Sequence, residues 1–360
     1  MIFDSEINNV FFPYKILTYP DILAKLINGE EVSPINLEIN LTNCCNHNCI
    51  WCTYGYLHGT GDSLDTDRVK ELLDSAREMG VQSVTWTGGG EPTVHKDFPK
   101  LIRYAASIGF KQGLNTNGRL LTQDTIAFIA ETFSYIRFSV DAGCSETLQK
   151  CHRAAPEDFE IIISNLRNLC RCKKIRKEGP VIGFSFLIDS TNYYDMVRAA
   201  EIAKDAGVDY IQYKPIVHYG SNAQFAGDAP IWTEMEKAFR QVKALETSGF
   251  AVHILDHKFK NIQLEKENYG RKYTKCLGCN LFASVGANGS VDLCCAYKGR
   301  PQWSAGNIND QKFEQIWFGE KRKKLRDSVE ISQCPPMCKA DETNRMIYFL
   351  SNFNANREFI

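Results

Sequence analysis

The sequence predicts an α/β protein whose main domain is a parallel sheet wrapped by helices, followed by a small cysteine-rich domain organised by metal. Two patterns predict this: short β-branched or aromatic segments alternate with amphipathic helical segments, and the cysteines gather in groups. The 360 residues suffice for about two domains. Six β/α units are expected, with strands at Ile35–Thr42, Ser83–Thr87, Gly113–Asn115, Tyr135–Val140, Val181–Ile188 and Tyr210–Pro215.

The first connecting helix shows how the helices are recognised. Asp65 and Thr66 offer caps for its start, and Gly80 supplies its end. We expect its apolar stripe to lie on the sheet. The stripe repeats at i, i+3, i+4 and i+7, through Val69, Leu72, Leu73 and Ala76.

After the sixth strand the pattern changes. We expect a helix over Thr233–Thr247, a strand over Ala251–Leu255 and a polar linker over Lys258–Lys275. The remainder predicts a hairpin around Asn288-Gly289 and a helix near Phe313–Ser328. The expected units are an N-terminal extension at 1–34, a main domain at 35–257 and a cysteine-rich domain at 258–360.

Charge and hydropathy exclude several classes of partner. Lys plus Arg number 42 and Asp plus Glu 43, for a net charge of −1, so nothing electrostatic favours a nucleic acid or an anionic membrane. No apolar run approaches the roughly 18 residues that span a bilayer. Asp4 and Glu6 stand where a signal peptide would carry positive charge. We therefore expect a cytoplasmic protein whose cysteines stay reduced and serve metals or catalysis.

The most informative cysteines are Cys45, Cys49 and Cys52. Their i, i+4, i+7 spacing is also one face of a helix, where they would pack as small hydrophobes. The polar neighbours Asn46 and His47 instead favour a metal-binding loop. Zinc needs four ligands, or three and a water, whereas thiolates this closely spaced suit an iron–sulfur cluster. Three thiolates on a four-iron cluster leave one iron open to a substrate or cofactor.

Other polar residues follow neighbouring strands, where the active sites of parallel β/α barrels form. Strand two runs into Gly88-Gly89-Gly90-Glu91-Pro92, and strand three into Thr116-Asn117-Gly118. Strand four ends in Ser139-Val140-Asp141-Ala142, and strand six in Gln212-Tyr213-Lys214-Pro215. We expect these loops and the cysteines to form one polar, glycine-lined pocket.

Two of these motifs together resemble the radical S-adenosylmethionine (SAM) superfamily. They are Cys45-x3-Cys49-x2-Cys52, with Trp51 before the last cysteine, and Gly89-Gly90-Glu91-Pro92. The resemblance covers Ile35 to about Pro215 and implies the family's partial (β/α)6 TIM-like barrel. It also implies a [4Fe-4S] cluster on the three cysteines, whose open iron chelates SAM and whose reduction cleaves SAM to methionine and a 5′-deoxyadenosyl radical. The residues then expected at the cofactor are Trp51, Gly89, Gly90, Glu91, Asn115, Ser139, Asp141 and Arg153.

Residue chemistry suggests roles for several of these positions. Glu91 and the glycine backbone suit the methionine ammonium. Ser139, Asn115 and Asp141 offer partners for hydroxyl groups or the ribose. Arg153 is placed like the arginine that grips the cofactor carboxylate in relatives, with a solvated surface arginine as the alternative.

The C-terminal cysteines resemble the SPASM/twitch extension of the same superfamily, which holds auxiliary iron–sulfur clusters. Fewer cysteines follow than in a full SPASM domain, so the resemblance implies one auxiliary [4Fe-4S] cluster. Its expected ligands are Cys276, Cys294, Cys334 and Cys338, while Cys279 and Cys295 remain spare. A zinc ribbon built on Cys276-x2-Cys279 and Cys334-x3-Cys338 is the alternative.

The resemblance implies an enzyme that removes a hydrogen atom from a C–H bond of a polar organic substrate. In a dehydrogenase, the substrate radical would lose a proton and pass an electron to the auxiliary cluster. In an epimerase, a thiol would return hydrogen to the opposite face, and Cys279 and Cys295 are the candidate donors. A flavodoxin or ferredoxin-type protein would supply electrons.

The substrate class rests on weaker signals. The segment before Ile35 is too short for the leader-binding domain that peptide-modifying relatives often carry. We therefore expect a sugar or aminocyclitol-like small molecule of natural-product biosynthesis, with epimerisation or crosslinking of a ribosomally made peptide as the alternative. An iron–sulfur electron carrier is a rival class, but a carrier needs no SAM pocket.

Overall fold

A ten-stranded sheet forms the frame of the molecule. The computed structural model describes residues 12, 14–176, 179–216, 232–255, 259, 270–335 and 338–356. The strands are β1 (Asn36–Asn40), β2 (Ser83–Thr87), β3 (Lys111–Thr116), β4 (Phe133–Ser139), β5 (Val181–Ile188), β6 (Tyr210–Pro215), β7 (Ala251–Ile254), β8 (Phe282–Val285), β9 (Ser290–Asp292) and β10 (Ser304–Asn307).

The order of the strands is β10-β9-β8-β1-β2-β3-β4-β5-β6-β7. Strands β1 to β7 run parallel in chain order, which confirms the six predicted β/α units. The strand predicted over Ala251–Leu255 is β7, which pairs with β6 as a seventh parallel strand. Strand β8 pairs parallel with β1, and the β8–β9 and β9–β10 pairs are antiparallel. The cysteine-rich part therefore extends the sheet beyond β1.

Helices cover the outer face of this sheet. Helix α2 begins as predicted, because the Asp65 side chain accepts hydrogen bonds from the backbone N–H groups of Asp67 and Arg68 at 2.9 and 3.2 Å. It ends before Gly80, whose φ of +86° no other residue adopts easily. The helices are α1 (Pro20–Ile27), α2 (Thr66–Glu78), α3 (Phe98–Ser107), α4 (Gln123–Thr132), α5 (Ser145–His152), α6 (Asp158–Arg176), α7 (Met196–Ala206), α8 (Trp232–Lys243), α9 (Phe313–Trp317), α10 (Glu320–Asp327) and α11 (Asp341–Asn352).

Alternation along the strands separates two environments. The side chains of one face, such as Leu37, Ile136 and Phe138, are fully buried in the main hydrophobic core with the predicted stripe of α2. The other face, called here the inner face, carries polar side chains such as Glu38 and Arg137. Parallel strands are usually apolar on both sides, so a polar inner face is the part of the barrel suited to a ligand.

The structure corrects several element boundaries. The helix predicted near Phe313–Ser328 is two helices, α9 and α10, because Gly319 between them has an extended backbone (φ −71°, ψ 150°). Strands β3 and β4 each begin two residues earlier than predicted, and α8 ends at Lys243 rather than Thr247. Most of the predicted linker Lys258–Lys275 lies outside the described residues. The domain boundaries stay predictions.

Across the described ranges, no helix combines the length and apolarity needed to cross a membrane.

Candidate active site and auxiliary metal centre

The cysteine loop, residues 42–52, follows β1 and is clamped to the loop after β2. The Gly90 N–H donates to the Thr42 carbonyl at 3.0 Å, and the Glu91 N–H donates to the Cys44 carbonyl at 3.0 Å. A Cβ atom on Gly90 would lie 2.1 Å from the Cys44 oxygen. Only glycine fits so close to another backbone, which explains the glycine that precedes Glu91.

A second clamp holds the far side of the cysteine loop to the end of α5. The Asn48 N–H donates to the His152 carbonyl and the Ile50 N–H donates to the Cys151 carbonyl, both at 2.9 Å. Trp51, expected at the cofactor, is 3 % exposed and packs in a small apolar cluster with Cys151. The tryptophan thus anchors the loop, and its contact with the cofactor stays a prediction.

The three thiols of the cysteine loop are half-buried and interact electrostatically with one another. Burial raises the pKa of Cys45 to about 12 and also raises the pKa values of Cys49 and Cys52. The His47 N–H donates to Cys45 Sγ at 3.5 Å, and His58 Nε2 lies 3.7 Å from Cys52 Sγ. Such thiols hold their protons until a metal displaces them, so cluster assembly here must release protons.

Glu91 is buried, and its carboxylate joins the loops after β2 and β3. Its Oε1 accepts from the Thr93 N–H at 3.1 Å, the Thr93 hydroxyl at 2.7 Å and the Thr116 hydroxyl at 2.6 Å. Its Oε2 accepts from the Asn117 N–H at 2.8 Å. Burial raises the pKa of Glu91, and these hydrogen bonds oppose the rise. The carboxylate therefore orders both loops, and Oε2 keeps acceptor capacity for the ammonium contact that the sequence predicts.

A buried chain of polar contacts runs along the cysteine loop. His47 Nδ1 lies 3.2 Å from His152 Nδ1, and His152 Nε2 lies 3.0 Å from Asp141 Oδ2. At the other end, His47 Nε2 lies 3.3 Å from Asp158 Oδ2, and Arg119 Nε donates to Asp158 Oδ1 at 2.5 Å. Burial lowers the pKa of His47 to about 4, so its imidazole is neutral at pH 7.

Asp141 has protein partners on both carboxylate oxygens. Its Oδ1 accepts from the Leu187 N–H at 2.7 Å, and its Oδ2 faces His152. Its left-handed backbone (φ +58°) is held by Asn192, whose Nδ2 donates to the Asp141 carbonyl at 2.9 Å. The structure thus gives Asp141 a positioning role, and a contact with ribose stays a prediction.

The remaining cofactor candidates lie along the same edge of the sheet. The Asn115 Oδ1 atom is buried and has no hydrogen-bond partner among the described residues, so it is open to a ligand. Ser139 is half-buried at the end of β4. A Cβ atom on Gly89 would lie 2.7 Å from Asn43 Oδ1. Arg153 is exposed and left-handed (φ +50°), directly after the end of α5 that holds the cysteine loop.

The C-terminal cysteines line a second site. All six of them border one cavity of about 100 Å³, so the expected ligands and the spare cysteines lie together: Cys276, Cys279, Cys294, Cys295, Cys334 and Cys338. Within the part of the chain that the structure describes, no group of three or more His, Cys, Asp or Glu side chains is arranged to hold a single metal ion.

Hydrogen bonds reach the sulfurs of two expected auxiliary ligands. Asn344 Nδ2 donates to Cys276 Sγ at 3.3 Å, and the Ala340 N–H donates to Cys338 Sγ at 3.4 Å. The adjacent Cys279 side chain is the main reason why the pKa of Cys276 falls to about 6. Hydrogen bonds to cysteine sulfur are one means by which proteins set the reduction potential of an iron–sulfur cluster.

Arg271 holds the Cys334 segment against α11. Its Nη1 donates to the carbonyl groups of Ile331 and Cys334, both at 3.0 Å, and its Nη2 donates to the Pro335 carbonyl. Its Nε donates to Asp341 Oδ1 at 3.1 Å. Sequence reasoning missed Arg271 and Asp341, because their positions 70 residues apart show no shared motif.

Two tyrosines that follow the cysteine loop join the two sites. The Tyr54 hydroxyl donates to the Cys295 carbonyl at 3.1 Å, and the Tyr56 hydroxyl donates to the Lys298 carbonyl at 2.6 Å. The Lys298 ammonium lies 4.8 Å from the centre of the Tyr54 ring. The wall of the auxiliary cavity is therefore fixed to the segment that directly follows Cys52.

Family models match the two parts of the sequence that contain these sites. The model of the radical SAM superfamily matches residues 39–176, and that of SPASM, an iron–sulfur cluster-binding domain, matches residues 276–340. This chain carries a radical SAM domain and a SPASM domain. These matches confirm the resemblance predicted from the sequence motifs.

Two curated relatives match over most of this chain. The chain is 26% identical over 297 residues to Fe-coproporphyrin III synthase of Methanosarcina barkeri, and the alignment covers 77% of this chain and 72% of the relative. It is 27% identical over 314 residues to AdoMet-dependent heme synthase of the same organism, at 83% and 86% coverage.

Solved structures share the fold. SuiB of Streptococcus suis bound to S-adenosylmethionine superimposes with a TM-score of 0.65 at 16% identity, covering 88% of this chain and 73% of SuiB. Native anSMEcpe with bound AdoMet gives a TM-score of 0.57 at 16% identity, covering 88% and 96%. These likenesses confirm the predicted TIM-like architecture.

The residues of both sites fit the groups that the two domains imply. A radical SAM domain binds a [4Fe-4S] cluster and SAM, and a SPASM domain binds auxiliary iron–sulfur clusters. Three thiols share the cysteine loop, the neighbouring Asn115 Oδ1 is an open buried acceptor, and six further thiols share one cavity. Which cysteine binds which cluster stays a prediction.

We predict that Gly90→Ala weakens the binding of the first cluster. Its Cβ would collide with the Cys44 carbonyl, and the displaced loop costs roughly 1–3 kcal/mol, typical of overpacking. Iron per chain and reductive cleavage of SAM should both fall. Gly249→Ala is the control, because its Cβ meets no atom within 4 Å. Wild-type iron and activity in Gly90→Ala would contradict the clamp.

We predict that Glu91→Gln destabilises the protein and weakens SAM binding. The new amide NH₂ must replace one acceptor oxygen, so a donor from Thr93, Thr116 or Asn117 loses its partner, at about 1–3 kcal/mol. Urea unfolding measures the first effect and equilibrium dialysis with SAM the second. The exposed Glu78→Gln is the control and should change neither. Unchanged unfolding of Glu91→Gln would show that the carboxylate does not hold the loops.

Proposed function

We propose that the chain is a radical SAM enzyme that cleaves SAM reductively and removes a hydrogen atom from a C–H bond of a polar small molecule. The clamped cysteine loop supports this most strongly. It presents three thiols at the carboxyl edge of a sheet whose inner face is polar. When bound, the cluster and SAM supply the hydrogen-abstracting radical, while the chain holds them and orients the substrate.

The proposal divides the cofactor contacts among the elements at this edge. Cys45, Cys49 and Cys52 would hold the first cluster. Gly89, Gly90 and Glu91 would bind the methionine end of SAM, and Asn115, Ser139 and Asp141 the hydroxyl or ribose groups. Arg153 would face the cofactor carboxylate, since it directly follows the carbonyl that anchors the cysteine loop.

In this proposal Cys276, Cys294, Cys334 and Cys338 hold one auxiliary [4Fe-4S] cluster. The bond from Tyr54 to the Cys295 carbonyl fixes that cavity beside the cysteine loop. A cluster held there would lie near the substrate and suit the removal of an electron, so dehydrogenation is the favoured outcome.

Epimerisation is the second outcome, and Cys295 is the better placed of the two candidate hydrogen donors. Cys295 interacts electrostatically with Glu38, which lies on the inner face of β1. Cys279 is buried, and its Sγ lies 3.2 Å from the Cys276 carbonyl that accepts its hydrogen bond. A thiol on the inner side of the cavity is the one that a substrate in the barrel would meet.

The sugar or aminocyclitol-like substrate stays a prediction. The relatives named for Fe-coproporphyrin III and heme add porphyrins to the candidates, and peptide modification remains the alternative. A flavodoxin or ferredoxin-type donor in the cytoplasm completes the proposal. The deciding experiment incubates anaerobically reconstituted protein with SAM, reductant and these candidates, and follows 5′-deoxyadenosine and products by mass spectrometry.

We predict that Cys45→Ala, Cys49→Ala or Cys52→Ala lowers 5′-deoxyadenosine formation to the level without enzyme, because each removes a ligand of the cluster that binds SAM. Cys44→Ala is the matched control, because it neighbours Cys45 but its side chain is exposed. Wild-type rates in any of the three variants would remove the ligand assignment.

We predict that Cys334→Ala/Cys338→Ala uncouples the two steps. A folded variant should hold about half the iron, still form 5′-deoxyadenosine, and give little or no product, because each cluster acts through its own ligands. Circular dichroism and gel filtration come first, since metal-binding energy in such a domain is also folding energy. Cys172→Ala, on α6, is the control. Wild-type iron in the folded double variant, or zinc in the native site, would contradict an auxiliary cluster.

A further inference from the structure

Arg137 lies on the inner face of the sheet and forms no ion pair among the described residues. It lies in the middle of β4, half-buried, with Asn115 of β3 and Gly183 of β5 as its register neighbours. Its Nε atom is buried and has no hydrogen-bond partner among the described residues. No carboxylate of the described residues forms an ion pair with it either.

The other cations near Arg137 already face carboxylates. Lys339 Nζ donates directly to Glu38 Oε1, and Lys298 interacts with both Glu38 and Asp292. Burial alone would raise the pKa of Glu38, but Lys339, Lys298 and Arg137 together hold it below its usual value. Glu38 thus interacts electrostatically with three cations, but among the described residues it forms an ion pair with Lys339 alone.

Polar groups neighbour Arg137 on both sides along the inner face. On β3, Asn115 has a buried Oδ1 atom without a hydrogen-bond partner among the described residues. On β5, Gly183 has no side chain, and the Tyr210 ring occupies the space where a Cβ would lie, with its hydroxyl 2.2 Å from that position. That hydroxyl therefore stands next to the guanidinium, and Arg137 lowers the pKa of Tyr210 against the larger effect of burial. Toward the cysteine loop, the next inward residue of β4 is Ser139, about 6.6 Å further along the strand.

We propose that Arg137 binds a carboxylate of the substrate, so that the substrate is an organic acid. A guanidinium binds a carboxylate through two parallel hydrogen bonds, and such a bond would supply the partner that the buried Nε atom of Arg137 lacks among the described residues. One guanidinium balances one carboxylate, whereas a phosphate dianion would need a second cation, and Lys339 and Lys298 face Glu38 and Asp292. The inference rests on the proposed function, because it assigns the inner face to the substrate.

A carboxylate at Arg137 would set the direction of the substrate in the barrel. The acid group would lie one inward layer below Ser139, and the rest of the molecule would extend toward the cysteine loop. Arg137 would then be a specificity-determining residue that presents a distant C–H bond to the first site.

The test compares acids with neutral analogues that share the same scaffold. The probe pairs are coproporphyrin III and its methyl ester, glucuronate and glucose, and a short peptide with a free or an amidated C-terminus. Binding to reconstituted holoenzyme with SAM, but without reductant, is measured by calorimetry. For at least one pair the acid should bind roughly 10- to 100-fold more tightly, the range for hydrogen bonds between charged groups.

Three variants assign that preference to the guanidinium. Arg137→Met should abolish it, and Arg137→Lys should retain only part of it, because lysine keeps the charge but loses the fork. Arg103→Met is the matched control, since Arg103 is exposed on α3 and pairs with Asp124. If Arg137→Met fails to fold by circular dichroism, Arg137→Lys and Arg137→Gln support the same comparison.

Equal affinity for both members of every pair would overturn the proposal, as would an acid preference that survives Arg137→Met. A loss of SAM affinity in Arg137→Met as large as the loss of acid affinity would also overturn it, because Arg137 would then serve the cofactor. The proposed function fails on a different readout, namely the absence of 5′-deoxyadenosine when the wild-type enzyme is reduced.

Discussion

The backbone of Gly90 lies directly against the carbonyl groups of Thr42 and Cys44, and the geometry of the first site depends on this contact. Parallel pairing of β1 with β2 brings the two following loops to the same edge of the sheet, and the missing side chain lets them touch. Glu91, the next residue, then reaches across to the loop after β3. A single steric requirement thus aligns three consecutive loops around the cysteines.

The two faces of the sheet divide stability from chemistry. Side chains such as Ile39, Trp86 and Phe184 pack beneath the helices, and their burial stabilises the barrel. The inner face therefore does not need to be apolar. Several of its buried polar atoms have no partner among the described residues, including those of Asn40 and Gln212. Each such group costs about 1–3 kcal/mol, which is the expected condition of a surface that awaits a ligand.

The SPASM domain is joined to the barrel by backbone pairing. Strand β8 continues the sheet at β1, so the inner face runs on into the cysteine-rich part. Glu38 of β1 meets Lys339, which directly follows Cys338, and Tyr54 meets the Cys295 carbonyl. These contacts fix the auxiliary cavity relative to the cysteine loop.

Local sequence patterns determined the elements, the cysteine loop and the family. The cap and stripe of α2, the strand alternation and the Cys45-x3-Cys49-x2-Cys52 spacing involve residues only a few positions apart, and short-range geometry is what periodicity and motifs report. The sequence pattern did not predict the division of Phe313–Ser328 at Gly319, because an isolated glycine is tolerated in a helical pattern. Tertiary structure alone decided which polar groups meet. Strand pairing sets the partners of Glu91, the link from Tyr54 to Cys295 across 241 positions, and the lack of an ion pair at Arg137. Alternation along a strand shows which face a side chain occupies, but not which residue lies across from it.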